Sequence, residues 1–482
     1  MNPSPRRVVV VGSGMAATRL VEELVARGAH RSLAVTVLGD EDAPPYNRIL
    51  LSAVLEGTYR PSSLTLRSPQ WYDDHAIDLR RGARVSGIDR EWREVVLADG
   101  TRLPYDALVL ATGAIPTLPP IRGLVRADGA LHDAVHAFRS LADCERLVAA
   151  LPTGRRAVVV GGGLLGLQVA RALGARGIVT EIVEGADHVL HQQLTTAAGR
   201  ILARDLRRLG VAVYTSARAV RLLDRPDDPS AGRVALRLDN GYSLDTDLVV
   251  LTAGGRPSTA LARGAGLEVR RGIVVDDRLA SVTDPAVHAL GDCAEHDGRT
   301  TGFVSPAWEQ AGVLAGVLAG EATRYDGSRV VARLRATGLD VAVLGDAAAE
   351  VAAGGEVVEV ANPISGSHRR LVVREGRIVA ATLVGDLSRV GLITQHFDRR
   401  TALGPDEPGR LLLPEPTAAE RTLPDDAEVC ACAGVTAGRI RACSSLELVR
   451  DTTRATTGCG GCASTVRQLL ASRPALATKG RL

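Results

Sequence analysis

Four cysteines near the end of the chain have the type and spacing to do chemistry. The stretch VCACAG sets Cys430 and Cys432 one residue apart, and GCGGC sets Cys459 and Cys462 two apart, giving C-x-C-x26-C-x2-C with Cys443 between them. Short inner spacings let two thiolates of one loop reach a single centre, and the glycines of TTGCGGC let backbone amides turn toward sulfur. Four thiolates suit an iron–sulfur cluster or a structural zinc ion, and spacing alone leaves both open. A second chemistry is carried by glycine. In VVVVGSGMAA (8–17), Gly12 permits a tight turn after a buried strand, Gly14 lets a pyrophosphate approach the backbone, and Ala17 stands where the fingerprint has its third glycine. The following strand, AVTVLGDE, ends in Asp40 and Glu41, one of which is expected to accept hydrogen bonds from an adenosine ribose.

The elements that must position these residues recur. VVVGGGLLG (158–166) repeats the strand, turn and helix with Gly161, Gly163 and Gly166, and VTEIVEG ends the next strand at Glu184. A carboxylate there bonds ribose hydroxyls and repels a 2′-phosphate, so NADH is expected over NADPH, although an acidic residue can also simply end a strand. Each copy has a later glycine loop after a buried strand, YDALVLATG ending at Gly113 and TDLVVLTAGG with Gly254 and Gly255. A repeated dinucleotide-binding unit is more specific than either motif alone.

Composition bounds the remainder. A chain of 482 residues is expected to form three or four domains. Formal net charge is +3 without a basic block, which gives no electrostatic reason for a nucleic-acid partner. No run approaches the roughly 20 apolar residues that span a bilayer. The valines after Arg6 and Arg7 lead into a glycine fingerprint and read as a first strand, not an export signal, so a cytoplasmic location and reduced or metal-bound thiols are expected. Cys144 and Cys293 read as buried packing thiols. From about Tyr325 to Leu413 short alternating segments appear, including LVVREGRIVAATLVGD with strand-like runs around an EGR turn, and LPEPTAAERTLPDDAE reads as a linker.

The order GSGMAA, YNRILLS, ATGAIP, GGGLLG and VHALGDCAEHDG resembles the two-dinucleotide flavoprotein reductases. The resemblance implies that the first fold holds FAD, that an inserted second fold holds NAD(P)H, and that the chain returns to complete the first. It further implies that Arg48 and Ser52 line the flavin and that Thr112 and Gly113 sit near the FAD diphosphate and adenine. Asp292 would bond a ribityl hydroxyl. The helix opening at SPAWEQAG would aim its N-terminus, around Trp308, Glu309 and Gln310, at the flavin pyrimidine. No CxxxxC redox pair follows the first unit, so the chain does not resemble the disulfide reductases of glutathione or lipoamide type. GVTAGRIRAC and TTRATTGCGGC resemble the bacterioferritin-associated-ferredoxin-like (BFD-like) domain, which implies a 2Fe-2S cluster on Cys430, Cys432, Cys459 and Cys462.

The expected fold is α/β, with two Rossmann-like domains, the second inserted in the first, a small α+β domain and a small helical iron–sulfur domain. The expected bounds are 1–120 and 246–324 for FAD, 121–245 for NAD(H), 325–413 for the small domain, 414–428 for the linker and 429–482 for the cluster domain. Nearly the whole chain resembles the electron-input half of the assimilatory nitrite reductase large subunit. Its end at Leu482, without the cysteines of a sirohaem half, raises the expectation of a separate electron-transfer subunit passing electrons to a molybdenum-containing nitrate reductase subunit. Other acceptors (nitrite reductase, a rubredoxin, an oxygenase) and a slow redox-sensing role are the alternatives.

Overall fold

Buried aliphatic runs bounded by glycine turns become parallel strands, and the segments after the turns become the helices that cover them. The computed structural model describes residues 5–225, 232–334, 336, 338–413, 423–458 and 460–471. Contacts divide the chain into two compact units, 1–414 and 415–482.

In the first unit one sheet holds five parallel strands in the order Val287–Ala289, Ala107–Leu110, Arg6–Val11, Leu33–Leu38, Asp78–Arg80. Ala107–Leu110 is buried at every position, as a parallel strand covered on both faces must be. Helices Met15–Ala26 and Val304–Leu318 pack together, and Leu20, Leu24, Ala311 and Leu314 share one core with these strands. A second parallel sheet repeats the plan in the order Val211–Tyr214, Val179–Val183, Arg156–Val160, Leu248–Leu251, Val135–Ala137. The repeat extends further than the glycine motifs suggested. Each sheet carries an antiparallel meander, Val85–Asp89 with Glu94–Leu97 and Arg102–Pro104 in one, and Ala219–Asp224 with Val234–Leu238 and Ser243–Thr246 in the other.

The chain crosses between the sheets at Ala114–Pro116 and returns at Gly255–Pro257, and these two short strands pair antiparallel. The expected boundary at 245/246 is therefore corrected: Leu248–Leu251 lies in the second sheet, beside Arg156–Val160. The cause is that a strand buried on both faces has the same apolar pattern whichever sheet it joins.

Residues 331–384 form an antiparallel sheet ordered Val331–Arg333, Val341–Leu344, Arg377–Val384, Ser367–Arg374, Glu356–Asn362. The expected turn sits at Glu375 and Gly376, both with positive φ (52° and 69°), the geometry of a two-residue hairpin whose twist matches its strands. Phe397 of helix Val390–Arg399 is fully buried in this sheet's core.

The second unit is small and mostly helical, with Ala437–Arg441, Leu446–Thr453 and Ala463–Ala471 around Val435, Ile440, Val449 and Val466. Most of the expected linker, 414–422, lies outside the described residues. Residues 423–428 belong to this unit's packing: Gly438 N–H donates to the Asp425 carbonyl (2.9 Å), and Glu428–Cys430 pairs with Val435–Thr436.

Candidate functional site

The glycine turns and helix ends come first, because they decide what can approach. Helices Leu51–Glu56, Ala260–Gly264, Val390–Arg399, Glu407–Leu412 and Ala437–Arg441 have no side-chain cap bond, while others are capped by side chains: Ser68, Ser140, Thr195, Asp346 and Ser445 each accept a backbone N–H in the first turn. Helices Met15–Ala26, Leu164–Ala175 and Val304–Leu318 are not; Gly14, Gly163 and Phe303 at their caps offer no side-chain acceptor. Orphan amides and the positive end of the helix dipole are thus left for an external anion at these three places. A Cβ on Gly14 or Gly163 would meet nothing within 4 Å, so the backbone there is open to close approach.

The first glycine of each turn does a different job. Gly12 (φ +109°) and Gly161 (φ +114°) adopt backbones unfavourable to other residues, and a Cβ would stand 2.3 Å from the Ala111 carbonyl oxygen and 2.6 Å from that of Thr252. Gly166 lets helix and strand close up, since a Cβ would fall 1.9 Å from the Gly161 carbonyl oxygen. Ala17, its counterpart, is buried in the first core. Gly166→Ala is accordingly expected to cost about 1–3 kcal/mol through overpacking. A lowered melting temperature would be the observed result.

Of the two acidic residues after Leu33–Leu38, Asp40 is exposed, whereas Glu41 faces a small concavity with Ser13, Gly14, Pro44, Tyr46 and Arg48. Glu41 accepts from Tyr46 Oη (2.8 Å) and pairs with Arg48. Glu184 is buried; its Oε2 accepts from Gly162 N–H (2.7 Å) and its Oε1 from Ala186 N–H (2.8 Å), which binds the carboxylate to the glycine loop itself. His191 Nδ1 lies 3.7 Å from the same carboxylate.

Several further residues gather where the sheets meet. Thr112 Oγ1 donates to the Ser258 carbonyl (2.7 Å) and Ser258 N–H to the Gly113 carbonyl (2.9 Å), tying the two crossover segments. Gly254 (φ +92°) accepts from Thr117 N–H (3.0 Å). Asp292 forms an ion pair with Arg139 (2.7 Å); burial pushes its carboxyl up from the ordinary value, against the pull of Arg139 and Arg48. Arg139, which also donates to the Ala114 carbonyl (2.7 Å), was not singled out from the sequence; the only signal was a lone arginine before a serine cap. Ser52 is buried in helix Leu51–Glu56. In helix Val304–Leu318, Trp308, Glu309 and Gln310 fall in the second turn, not at the N-terminus. Glu309 is exposed, while Gln310 is buried and accepts from Gly291 N–H (2.7 Å).

Cys144 and Cys293 are fully buried, with thiols directed at the Leu51 and Leu110 carbonyls, and burial raises both above the ordinary thiol range. In the second unit Cys430 hydrogen-bonds with both Cys432 and Cys462. The bond from Cys432 lowers its pKa, the bond from Cys462 and burial raise it, and the net value is about 11. Thr456 N–H donates to Cys462 Sγ (3.2 Å), the bond a metal-bound thiolate accepts. Cys459 lies outside the described residues, and among the described residues no three His, Cys, Asp or Glu side chains form a complete metal cage. Buried Cys430 and Cys462 and half-buried Cys432, with an amide aimed at sulfur, nonetheless suit a cluster held by cysteine. Cys443 instead donates to the Arg439 carbonyl (3.4 Å).

Comparison with known proteins agrees with this geometry. Residues 6–311 match the pyridine nucleotide-disulphide oxidoreductase family, and residues 428–472 match the BFD-like [2Fe-2S] binding domain. Over 96% of its length the chain is 34% identical to a nitrite reductase [NAD(P)H] and 31% identical to an assimilatory nitrate reductase electron transfer subunit, both of Bacillus subtilis. It spans 57% and 59% of those two relatives. Among solved structures, a covalent putidaredoxin reductase–putidaredoxin complex superposes with a TM-score of 0.75 at 26% identity, covering 85% of this chain and 96% of that one. Among the described residues no helix is long and apolar enough to cross a membrane. The chain thus belongs to the pyridine nucleotide-disulphide oxidoreductase family, as an NAD(P)H-dependent oxidoreductase whose cofactors are FAD and, on a BFD-like domain, a 2Fe-2S cluster.

Proposed function

We propose that the chain takes electrons from NADH and delivers them through FAD and the 2Fe-2S cluster to a partner protein, the molybdenum-containing catalytic subunit of an assimilatory nitrate reductase. The observation that carries the reading is the pairing of two open glycine turns, each followed by an uncapped helix, with a separate unit in which buried cysteines converge. Bound FAD accepts a hydride and releases electrons singly, which matches a two-electron donor to a one-electron cluster.

The residues serve that sequence by orientation. Gly12, Gly14 and Ala17 present helix amides to the FAD pyrophosphate, with Glu41, and Asp40 beside it, toward the adenosine ribose. Arg48, Ser52, Thr112, Gly113, Asp292 and Glu309 would serve the remainder of FAD. The uncapped end of Val304–Leu318 adds a positive potential that stabilises negative charge on a reduced ring. Gly161, Gly163, Gly166 and Gly254 shape the NADH site. Glu184, held by two loop amides, keeps lone pairs for the ribose hydroxyls and disfavours a 2′-phosphate. Cys430, Cys432, Cys459 and Cys462 hold the cluster, and reduced thiols of this kind suit the cytoplasm.

Likeness to the nitrate reductase electron transfer subunit supports the molybdenum partner. The 34% identity to nitrite reductase over the same span supports a second reading, delivery to a nitrite-reducing centre. Purification with the bound partner, followed by NADH-driven turnover of nitrate and of nitrite, decides between them. Nitrate consumption with a molybdenum-containing partner is expected; nitrite consumption alone would favour the second reading, and neither would point to another acceptor such as a rubredoxin or an oxygenase.

A further inference from the structure

Tyr46 was not singled out by its sequence, yet its hydroxyl joins both dinucleotide units. The side chain is only 5% exposed. Its Oη donates to Glu41 Oε2 (2.8 Å) and accepts from Arg48 Nη1 (2.9 Å) and from Leu141 N–H (2.8 Å). One proton given and two lone pairs filled exhaust what a phenol can do. Glu41 belongs to the loop after the first sheet's strand Leu33–Leu38, and Arg48 opens the short 3-10 helix Arg48–Leu50 that follows it. Leu141 opens helix Leu141–Ala150, which follows the second sheet's strand Val135–Ala137.

Surrounding contacts make this a junction, not a local turn. The Arg48 guanidinium lies 4.8 Å from the Tyr46 ring centroid and reaches the Arg139 carbonyl (3.4 Å), just before the helix. Tyr46, Leu50, Leu51 and Leu55 share one apolar cluster with Phe138, Cys144 and Leu147. Burial, opposed by Arg48, pushes the phenol above its ordinary range, so its proton stays available to Glu41.

We propose that Tyr46 is a positioning residue that fixes the second dinucleotide unit against the first, and so sets the distance over which NADH meets the flavin. Hydride transfer tolerates little error, because reacting atoms must lie about 3–3.5 Å apart and a 1 Å displacement can cost about 100-fold. The proposal rests on the reading of the two units as flavin and nicotinamide sites.

Two variants test it in the full-length, FAD-loaded protein. Tyr46→Phe removes the acceptor. Leu141→Pro removes the donor and leaves Tyr46, Glu41 and Arg48 in place; proline suits the first position of a helix, and Ser140 is already extended (φ −110°, ψ 167°). In Tyr46→Phe, amide exchange at Leu141 without NADH should rise at least about tenfold. In both variants the limiting rate of flavin reduction at saturating NADH should fall about 10–100-fold, with FAD content and the apparent Kd for NADH within about two-fold of the parent. An unchanged Leu141 exchange rate in Tyr46→Phe, or parental limiting rates in either FAD-loaded variant, would overturn the proposal. If Tyr46→Phe fails to retain FAD, Leu141→Pro decides. A parent protein whose flavin NADH does not reduce would instead defeat the functional reading, leaving the exchange result to stand by itself.

Discussion

Replacing Cys462 with serine is expected to abolish the 2Fe-2S signal and cut electron delivery to a one-electron acceptor at the cluster by at least about 100-fold, or about 2.7 kcal/mol in barrier. NADH should still bleach the flavin at close to the parental rate. Cys462 is buried, hydrogen-bonds with Cys430 and accepts the Thr456 amide; a serine oxygen is a harder, less acidic ligand that fits iron–sulfur chemistry poorly. The damage should stay local, because the cysteines lie in a compact unit with its own core of Val435, Ile440 and Val449, apart from residues 6–311. Iron content, the EPR spectrum after dithionite, and NADH-dependent reduction of flavin and of ferricyanide together check the outcome. Equal loss of flavin reduction in folded, FAD-loaded protein would mean that the cluster is not downstream of the flavin.

Gly12→Val should have an effect of similar size at the other end of the relay. The position has φ +109°, and a Cβ would come within 2.3 Å of the Ala111 carbonyl oxygen, a backbone atom that cannot swing aside. Strained φ and overpacking cost about 1–3 kcal/mol each. Both fall on the turn that orients the Met15–Ala26 amides, so FAD affinity should drop at least about 100-fold, about 2.7 kcal/mol. Purified protein should be nearly colourless in flavin while retaining the cluster's absorption. A flavin content equal to the parent would contradict the assignment of this turn to FAD.

These residues also mark how far the sequence could be read. Gly12 and Gly161 were legible because positive φ and sub-van-der-Waals backbone approach admit almost no other residue, and Gly166 because of the backbone approach alone. Tyr46 and Arg139 were not, because their partners lie far along the chain: Tyr46 meets Leu141 across 95 residues and Arg139 meets Asp292 across 153. Helix phase was a third obstacle. In VSPAWEQAGVLAGVL the apolar residues surround the helix, and packing against Met15–Ala26 decides that Gln310 turns inward to Gly291 while Glu309 stays exposed. Leu248–Leu251 was assigned to the wrong sheet for a related reason, since its four apolar residues fit either parallel core. Nor did the fingerprint motifs reveal that the repeat includes the two antiparallel meanders, whose second turns match only in a short signal, Asp99-Gly100 in one and Asn240-Gly241 in the other, with both glycines at positive φ (88° and 89°).

The central claim is that hydride equivalents entering this chain leave it as single electrons from the cluster. Anaerobic titration of the purified protein with NADH, without any partner, followed by optical and EPR spectra, tests it directly. The account predicts bleaching of the flavin together with a paramagnetic reduced 2Fe-2S signal that accounts for most of the bound cluster and is lost in Cys462→Ser. A bleached flavin beside a cluster that stays oxidised and EPR-silent, yet reducible by dithionite, would contradict it.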